Sequence, residues 1–510
     1  MARGAVAIGR LGGWAAAGFV AVALLAPLAA VAWQAEFARA GLSADWGAVR
    51  FTLWQAVLST LMSVLLAVPV ARALARRRFA GRGLLITLLG APFILPVIVA
   101  VLGLLAVFGR GGLLNAALGW VGLGPVSIYG LQGVVLAHVF FNLPLATRIV
   151  LMGWQGIPGE RFRLAASLGM SRAQMFRMLE LPMLRDVLPG AAMVIFALCL
   201  SSFAVALTLG GGPAATTLEL AIYQAFRFDF DLGHAAVLAL VQLVLAGGAA
   251  ALALGFAVPT GFGPGLDRVV RRWEADGLVP RLIDAGAIAL AAAFLLLPLG
   301  MVVWRGLGGI AAMPATVWQA ALVSVGMALV STGLTLVLAL SLARRGELWG
   351  YLGLAVSPMV VGTGLFLLIN PFASPMALAA PVTVAVNALM ALPFSLRVLA
   401  PELRRVEADF GRLADGLGMR GWARWRWLLW PRLRRPIGFA AGLSAALAMG
   451  DLGVVALFAS PDWATLPLMM FRLIGAYRME AAAGAALLLL GLSLGLFWLF
   501  DRGGRVDVDA

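Results

Sequence analysis

Lysine is absent from all 510 residues, and each of the 38 basic side chains is arginine. That absence excludes a Walker A phosphate loop, whose lysine reaches the β- and γ-phosphates of ATP. It excludes lysine Schiff-base chemistry with it. Any ATP-driven work belongs to another polypeptide, so the chain reads as no enzyme and calls for no cofactor. Charge is scarce as well: 12% of residues are charged against 62% hydrophobic, too little to cover a globular surface facing water. The single cysteine, Cys199, rules out a disulfide framework and a thiolate metal centre. The two histidines, His138 and His234, are too far apart for an HExxH pair, and no metal site is expected.

What is abundant is apolar sequence in blocks of about 20 residues, the length that crosses a bilayer core roughly 30 Å thick. The blocks fall at 13–33, 52–71, 84–108, 128–152, 187–209, 234–258, 283–304, 317–342, 349–369, 376–399, 437–459 and 481–500. They predict an all-α polytopic membrane protein with about twelve transmembrane helices in the lipid bilayer. Arg3 and Arg10 precede the first block as they would in a signal peptide. Its length, and the second block soon after, read as a retained span.

The formal net charge of +15 does not point to nucleic acid, because the arginines cluster between apolar blocks and not along one face. With the N-terminus inside, seven of the 38 arginines lie on the far side: Arg39, Arg50, Arg110, Arg227, Arg305, Arg472 and Arg478. The other 31 lie on the near side, notably at 72–82, 148–185, 268–281, 344–345 and 397–435. Basic loops stay in the cytoplasm, which places both termini there.

The chain also repeats itself. At an offset of 249 residues Leu143-Pro144 matches Leu392-Pro393, Arg163-Leu164-Ala165 matches Arg412-Leu413-Ala414, and Leu168-Gly169-Met170 matches Leu417-Gly418-Met419. Farther upstream Trp54-Gln55-Ala56 pairs with Trp318-Gln319-Ala320 at an offset of 264. The expected organisation is two homologous six-helix repeats: 1–260, with a long loop at 153–186, and 283–510, with a long loop at 400–436. A basic linker over 261–282 joins them. Both loops fall on one side, so the repeats are parallel, related by an axis along the membrane normal.

Each long loop reads Leu-Ala-x-x-Leu-Gly-Met with a proline 13 residues after the glycine, a helix, a glycine turn and a second helix at the membrane surface. This resembles the coupling loop of type I ABC importer permeases, with its E-A-A…G…L-P signature. The resemblance implies the type I importer permease fold, two lobes around one pathway, with two ABC ATPase subunits docked on the loops. Carried over residue by residue, ATPase coupling falls on Ala165, Gly169, Leu181 and Pro182 in the first copy and on Ala414, Gly418 and Pro431 in the second. The acidic position of the signature is Arg163 and Arg412 here, with Glu160 and Glu407 upstream, and Leu181 becomes Trp430. Those arginines bear on an ion pair to the ATPase, not on docking.

The stretches Tyr129-Gly-Leu-Gln-Gly133, Leu136–Pro144, Leu209–Gln224 and Phe108–Gly112 are similar to fused permeases of thiamine/thiamine-diphosphate importers. That likeness implies import of thiamine and its phosphates across the bacterial inner membrane, handed over by a periplasmic substrate-binding protein. Ferric-iron importer permeases, with the same fused layout and a similar Leu-Gly-Gly-Gly segment, are the alternative. An ion-coupled secondary transporter also uses six-helix lobes, but would need several buried carboxylates and has no use for the duplicated loop.

Asp451 is the only acid deep in a clear span, and an intramembrane carboxylate is expensive unless water, a partner or a substrate meets it. Its repeat-mate is Ser202, preceded by Ser201; His138 and Asn387 are mates at the same offset. These five are candidates for the translocation pathway, against the plainer reading of hydrogen bonds between helices. In the far-side loop Gly210–Gln224, Thr217, Glu219 and Tyr223 are candidate contacts for the binding protein, against packing on helix ends.

Overall fold

The computed structural model describes residues 4–35, 42–90, 92, 94–256, 269, 272–344, 346–458 and 463–504. Every long element among them is a helix. The first half contains α1 (Gly4–Gln34), α2 (Leu42–Arg76), α3 (Arg82–Leu88), α4 (Val97–Phe108), α5 (Leu113–Trp120) and α6 (Leu131–Gly156). It continues with α7 (Gly159–Ser167), α8 (Arg172–Met175), α9 (Leu181–Leu200), α10 (Phe203–Leu209), α11 (Leu218–Arg227) and α12 (Leu232–Leu254). The second half contains α13 (Leu278–Gly309), α14 (Ala315–Leu342), α15 (Glu347–Tyr351), α16 (Pro358–Ile369) and α17 (Ala379–Gly416). It closes with α18 (Gly421–Arg424), α19 (Trp430–Met449), α20 (Gly453–Leu457), α21 (Leu466–Gly475) and α22 (Met479–Gly504). Among the described residues eleven helices are long and apolar enough to span a membrane, or twelve when one bent pair counts as a single span. This agrees with the spans expected from hydropathy.

Four expected spans are interrupted. The block 84–108 splits into α3 and α4, and the block 349–369 bends by 98° before α16. Pro96 and Pro358 stand at the two restarts; proline lacks an N–H and pushes the preceding residue out of helical geometry. Ser357 caps α16 by accepting from the Met359 N–H at 3.1 Å. The blocks 187–209 and 437–459 break at Ser201-Ser202 and at Gly450–Leu452, and residue 459 lies outside the described residues.

The first helix of each half packs across the molecule on the broken helix of the other half: α1 on α16, and α13 on α4. Both crossings use a kinked proline against a glycine. A Cβ on Gly364 would collide with the Pro27 carbonyl, and one on Gly103 with the Pro298 carbonyl. Only glycine lets two backbones come that close. The two crossings set the same pair of residue types, a proline carbonyl and a glycine, against each other.

The halves differ where their membrane helices meet the long loops. In the second half α17 runs unbroken for 38 residues, from the membrane into its loop. In the first half α6 stops at Gly156, Ile157 is extended, and α7 restarts after Pro158.

Candidate functional site

The two motif loops close in the same way. Gly169 (φ +63°) and Gly418 (φ +68°) are left-handed, a conformation that costs an L-residue about 1–2 kcal/mol. The Met170 N–H donates to the Ala165 carbonyl at 3.0 Å and the Gly169 N–H to that of Ala166 at 3.1 Å. In the second loop Met419 donates to Ala414 at 2.9 Å and Gly418 to Asp415 at 3.1 Å. This pair of bonds satisfies the last helical carbonyls and reverses the chain. Ala165 and Ala414 are buried, 3% and 2% exposed, so their small size lets the helix lie flat on the core.

Of the motif letters, the two alanines are buried and shape the loop, while the leucines flanking them, the glycines and the prolines lie on its outer surface. Exposed apolar side chains stand on that surface among exposed arginines: Leu164, Leu168 and Met178 beside Arg161, Arg163 and Arg177 in the first loop, and their mates Leu413, Leu417 and Trp427 beside Arg412 and Arg426 in the second. Matching the signature missed these side chains; the leucines at i and i+4 around the buried alanine were the signal. One turn of π-helix follows in each loop, Phe176–Glu180 and Trp425–Leu429, just ahead of Pro182 and Pro431. A proline removes one helical N–H and crowds the carbonyl four residues back, which a wider turn relieves. Leu181 is half-buried, and both prolines are exposed. Arg163, at the signature's acidic position, pairs with Glu160 at 2.8 Å on the surface.

The interrupted spans put their breaks together. His138 on α6 holds Ser59 Oγ of α2 through Nδ1 at 3.2 Å and Ser202 Oγ through Nε2. The structure thus joins two candidate residues, His138 and Ser202, and ties the α9–α10 break to α6; Ser201 beside them is exposed. Asp451 occupies the matching break. Its Oδ1 accepts from the Gly453 N–H at 3.1 Å, while the buried Oδ2 has no hydrogen-bond partner among the described residues. A Cβ on Gly453 would lie 3.8 Å from both Asp451 Oδ1 and Phe203 Cδ1, so the two breaks face each other. Asn387 is nearly buried on α17, and it is not joined to Asp451 as His138 is to Ser202.

At the end opposite the motif loops the structure corrects one expectation. Thr217, Glu219 and Tyr223 are buried, not on a surface where a soluble protein could reach them. α11 is strongly amphipathic and turns this face inward. Thr217 caps it by accepting from the Leu220 N–H at 3.4 Å. Glu219 accepts from Ser357 Oγ of the other half and from the Phe203 amide, and burial pushes its carboxyl up to about 7. Tyr223 packs edge-on against Phe203, centroids 5.3 Å apart. Exposed residues of this region include Gly211, Gly212, Ala214 and residues 228–231. Among the described residues no cluster of three His, Cys, Asp or Glu is placed to hold a metal ion.

No family model matches the chain. It is 41% identical over 521 residues to the thiamine transport system permease protein ThiP of Salmonella typhimurium, covering 96% of each chain. It is 42% identical over 488 residues to the protein of the same name from Escherichia coli K12, covering 91% of this chain and 90% of the relative. About half of it, 247 residues or 48%, is 32% identical to the molybdenum transport system permease protein ModB of Mycobacterium bovis, across 91% of that protein.

Proposed function

The chain belongs to the family of thiamine transport system permease proteins, and from that premise we propose that it carries thiamine and its phosphates inward across the bacterial inner membrane. The chain is the membrane-spanning subunit; ATP is hydrolysed by a separate subunit. The ferric-iron alternative draws no support from these relatives.

The observation that carries the mechanism is the duplicated, outward-facing motif loop. Each loop presents a pair of exposed leucines among arginines on a helix ended by a left-handed glycine, Gly169 or Gly418, and two such loops suit two ATPase copies. In this reading Ala165, Leu181 and Pro182, with Ala414 and Pro431, hold the docking helices in shape, and Leu164, Leu168, Leu413 and Leu417 make the contact. A relative that spans half of this chain supports two lobes fused in one polypeptide. ATP-driven closure rocks the lobes about the broken helices at the centre, and hydrolysis resets them. Asp451, Ser201, Ser202 and Asn387 line the passage, and His138 fixes Ser202 at its break. A periplasmic binding protein meets the lobes around Gly211–Ala214 and Phe228–Phe230, with both termini of the chain in the cytoplasm.

The polarity is tested by labelling. In a Cys199→Ser background, Ala214→Cys reacts with an impermeant maleimide in intact spheroplasts, and Ser167→Cys reacts only after lysis. The reverse pattern would overturn the importer orientation.

A further inference from the structure

The inter-repeat linker reaches the first coupling helix through buried charge. Arg272 is 3% exposed, its guanidinium carbon 3.7 Å from the centre of the buried Phe162 ring of α7. The same guanidinium pairs with Glu180, itself 1% exposed, at the end of the π turn. Glu180 also faces Arg72 of α2, at 2.8 Å. Farther along the linker, the Ala275 carbonyl accepts from Arg77 Nη2 at 2.6 Å. Asp284, in the first turns of α13, takes Arg77 Nε at 2.6 Å and the Arg76 guanidinium. The linker is therefore pinned to the coupling loop through Arg272 and to α2 through Ala275, and α2 is in turn paired with α13 at Asp284.

Among the described residues no linker arginine reaches the second loop in this way; there Arg432 of α19 lies over the Phe410 ring of α17 at 4.0 Å. At the offset of 249, Phe162 becomes Gly411 and Glu180 becomes Leu429. The second loop is continuous with its membrane helix, since α17 runs unbroken into it through Pro393 and Pro401, whereas α7 starts beyond the Ile157-Pro158 interruption. A hinged docking helix held by its own span alone would lose part of the stroke that ATPase closure delivers. We propose that Arg272 is a positioning residue which locks the first coupling helix to α2 and, through Asp284, to the second half, so that the hinged loop moves as one body with both. Arginine suits this place: its planar group stacks flat on a ring while its edge pairs with a carboxylate, whereas lysine is a compact point charge without that planar face.

The inference rests on the coupling reading, and one experiment separates them. Ser167→Cys and its mate Gly416→Cys, each in a Cys199→Ser chain, carry a photoactivatable maleimide in the complex assembled with its ATPase. Capture of the ATPase is measured at each position. Without further change both positions capture it; capture at neither overturns the coupling reading and this inference with it. Arg272→Ala is expected to lower capture at Ser167→Cys by at least about tenfold, since breaking a buried pair costs more than that factor requires, with Gly416→Cys unchanged, and to leave ATP hydrolysis no longer stimulated by loaded binding protein. Arg272→Lys keeps the charge and is expected to lose capture at Ser167→Cys only in part. Equal losses at both positions, or no loss at either, would refute a strap specific to the first loop.

Discussion

Gly169→Glu and Gly418→Glu are each expected to abolish transport and to release the ATPase, with the chain still inserted at its normal level. Both glycines are left-handed, and no atom lies within 4 Å of the space a Cβ would take. Bulk alone is therefore tolerated, and Gly169→Ala or Gly418→Ala pays only the conformational cost, about 1 kcal/mol. Glutamate adds charge beside the exposed leucine pairs, Leu164 and Leu168 or Leu413 and Leu417, which are expected to lie against the ATPase. A carboxylate buried there unpaired costs several kcal/mol, enough to empty the docking site. Co-purification of the ATPase and uptake of substrate are the two readings. Glutamate variants that retain both at unsubstituted levels would remove the coupling role from these turns.

Asp451→Asn is expected to reduce thiamine uptake about tenfold while complex assembly and basal ATP hydrolysis stay near normal. The substitution keeps Oδ1 for the Gly453 N–H and removes charge from the side chain whose other oxygen is unpartnered. At an effective dielectric near 20, a cation passing about 12 Å away gains roughly 1.4 kcal/mol from that charge, a factor of about ten. Thiamine carries a positive thiazolium ring, and the phosphates of thiamine diphosphate offset it, so the diphosphate should suffer less. Equal uptake of both by Asp451→Asn and the parent would make Asp451 structural. A collapse of assembly would show that the carboxylate caps the α19–α20 break and nothing more.

The twelve spans, the duplication and the two motif loops were legible in the sequence because each is carried by many residues at once. An arginine cluster or a 20-residue apolar block survives any single exception. Three of the breaks were not legible in the hydropathy, which averages over a whole span; at Gly450–Leu452 the glycines around Asp451 offered a capped break as the alternative to a pathway role. Pro96 and Pro358 gave a local signal; Ser201-Ser202 gave none, and its geometry depends on His138 from another helix. The inward face of α11 escaped for a related reason. A short amphipathic helix at a membrane boundary can bury its apolar side in lipid or in protein, and Glu219 looked like a surface acid until Ser357 of the other half was found beside it. The strap through Arg272 links residues 92 positions apart, beyond the reach of any motif, and no repeat-mate announces it.

The central claim, that this chain moves thiamine only as the ATPase drives it, is tested most directly in proteoliposomes. The chain is reconstituted with its ATPase subunit and binding protein, and labelled thiamine is followed with ATP supplied on the motif-loop side. Accumulation against a gradient is expected with ATP and all three components, and none when the ATPase is omitted or Gly169→Glu is present. Accumulation that persists without ATP and collapses with a proton or sodium gradient would contradict it, and would return the chain to the ion-coupled transporters.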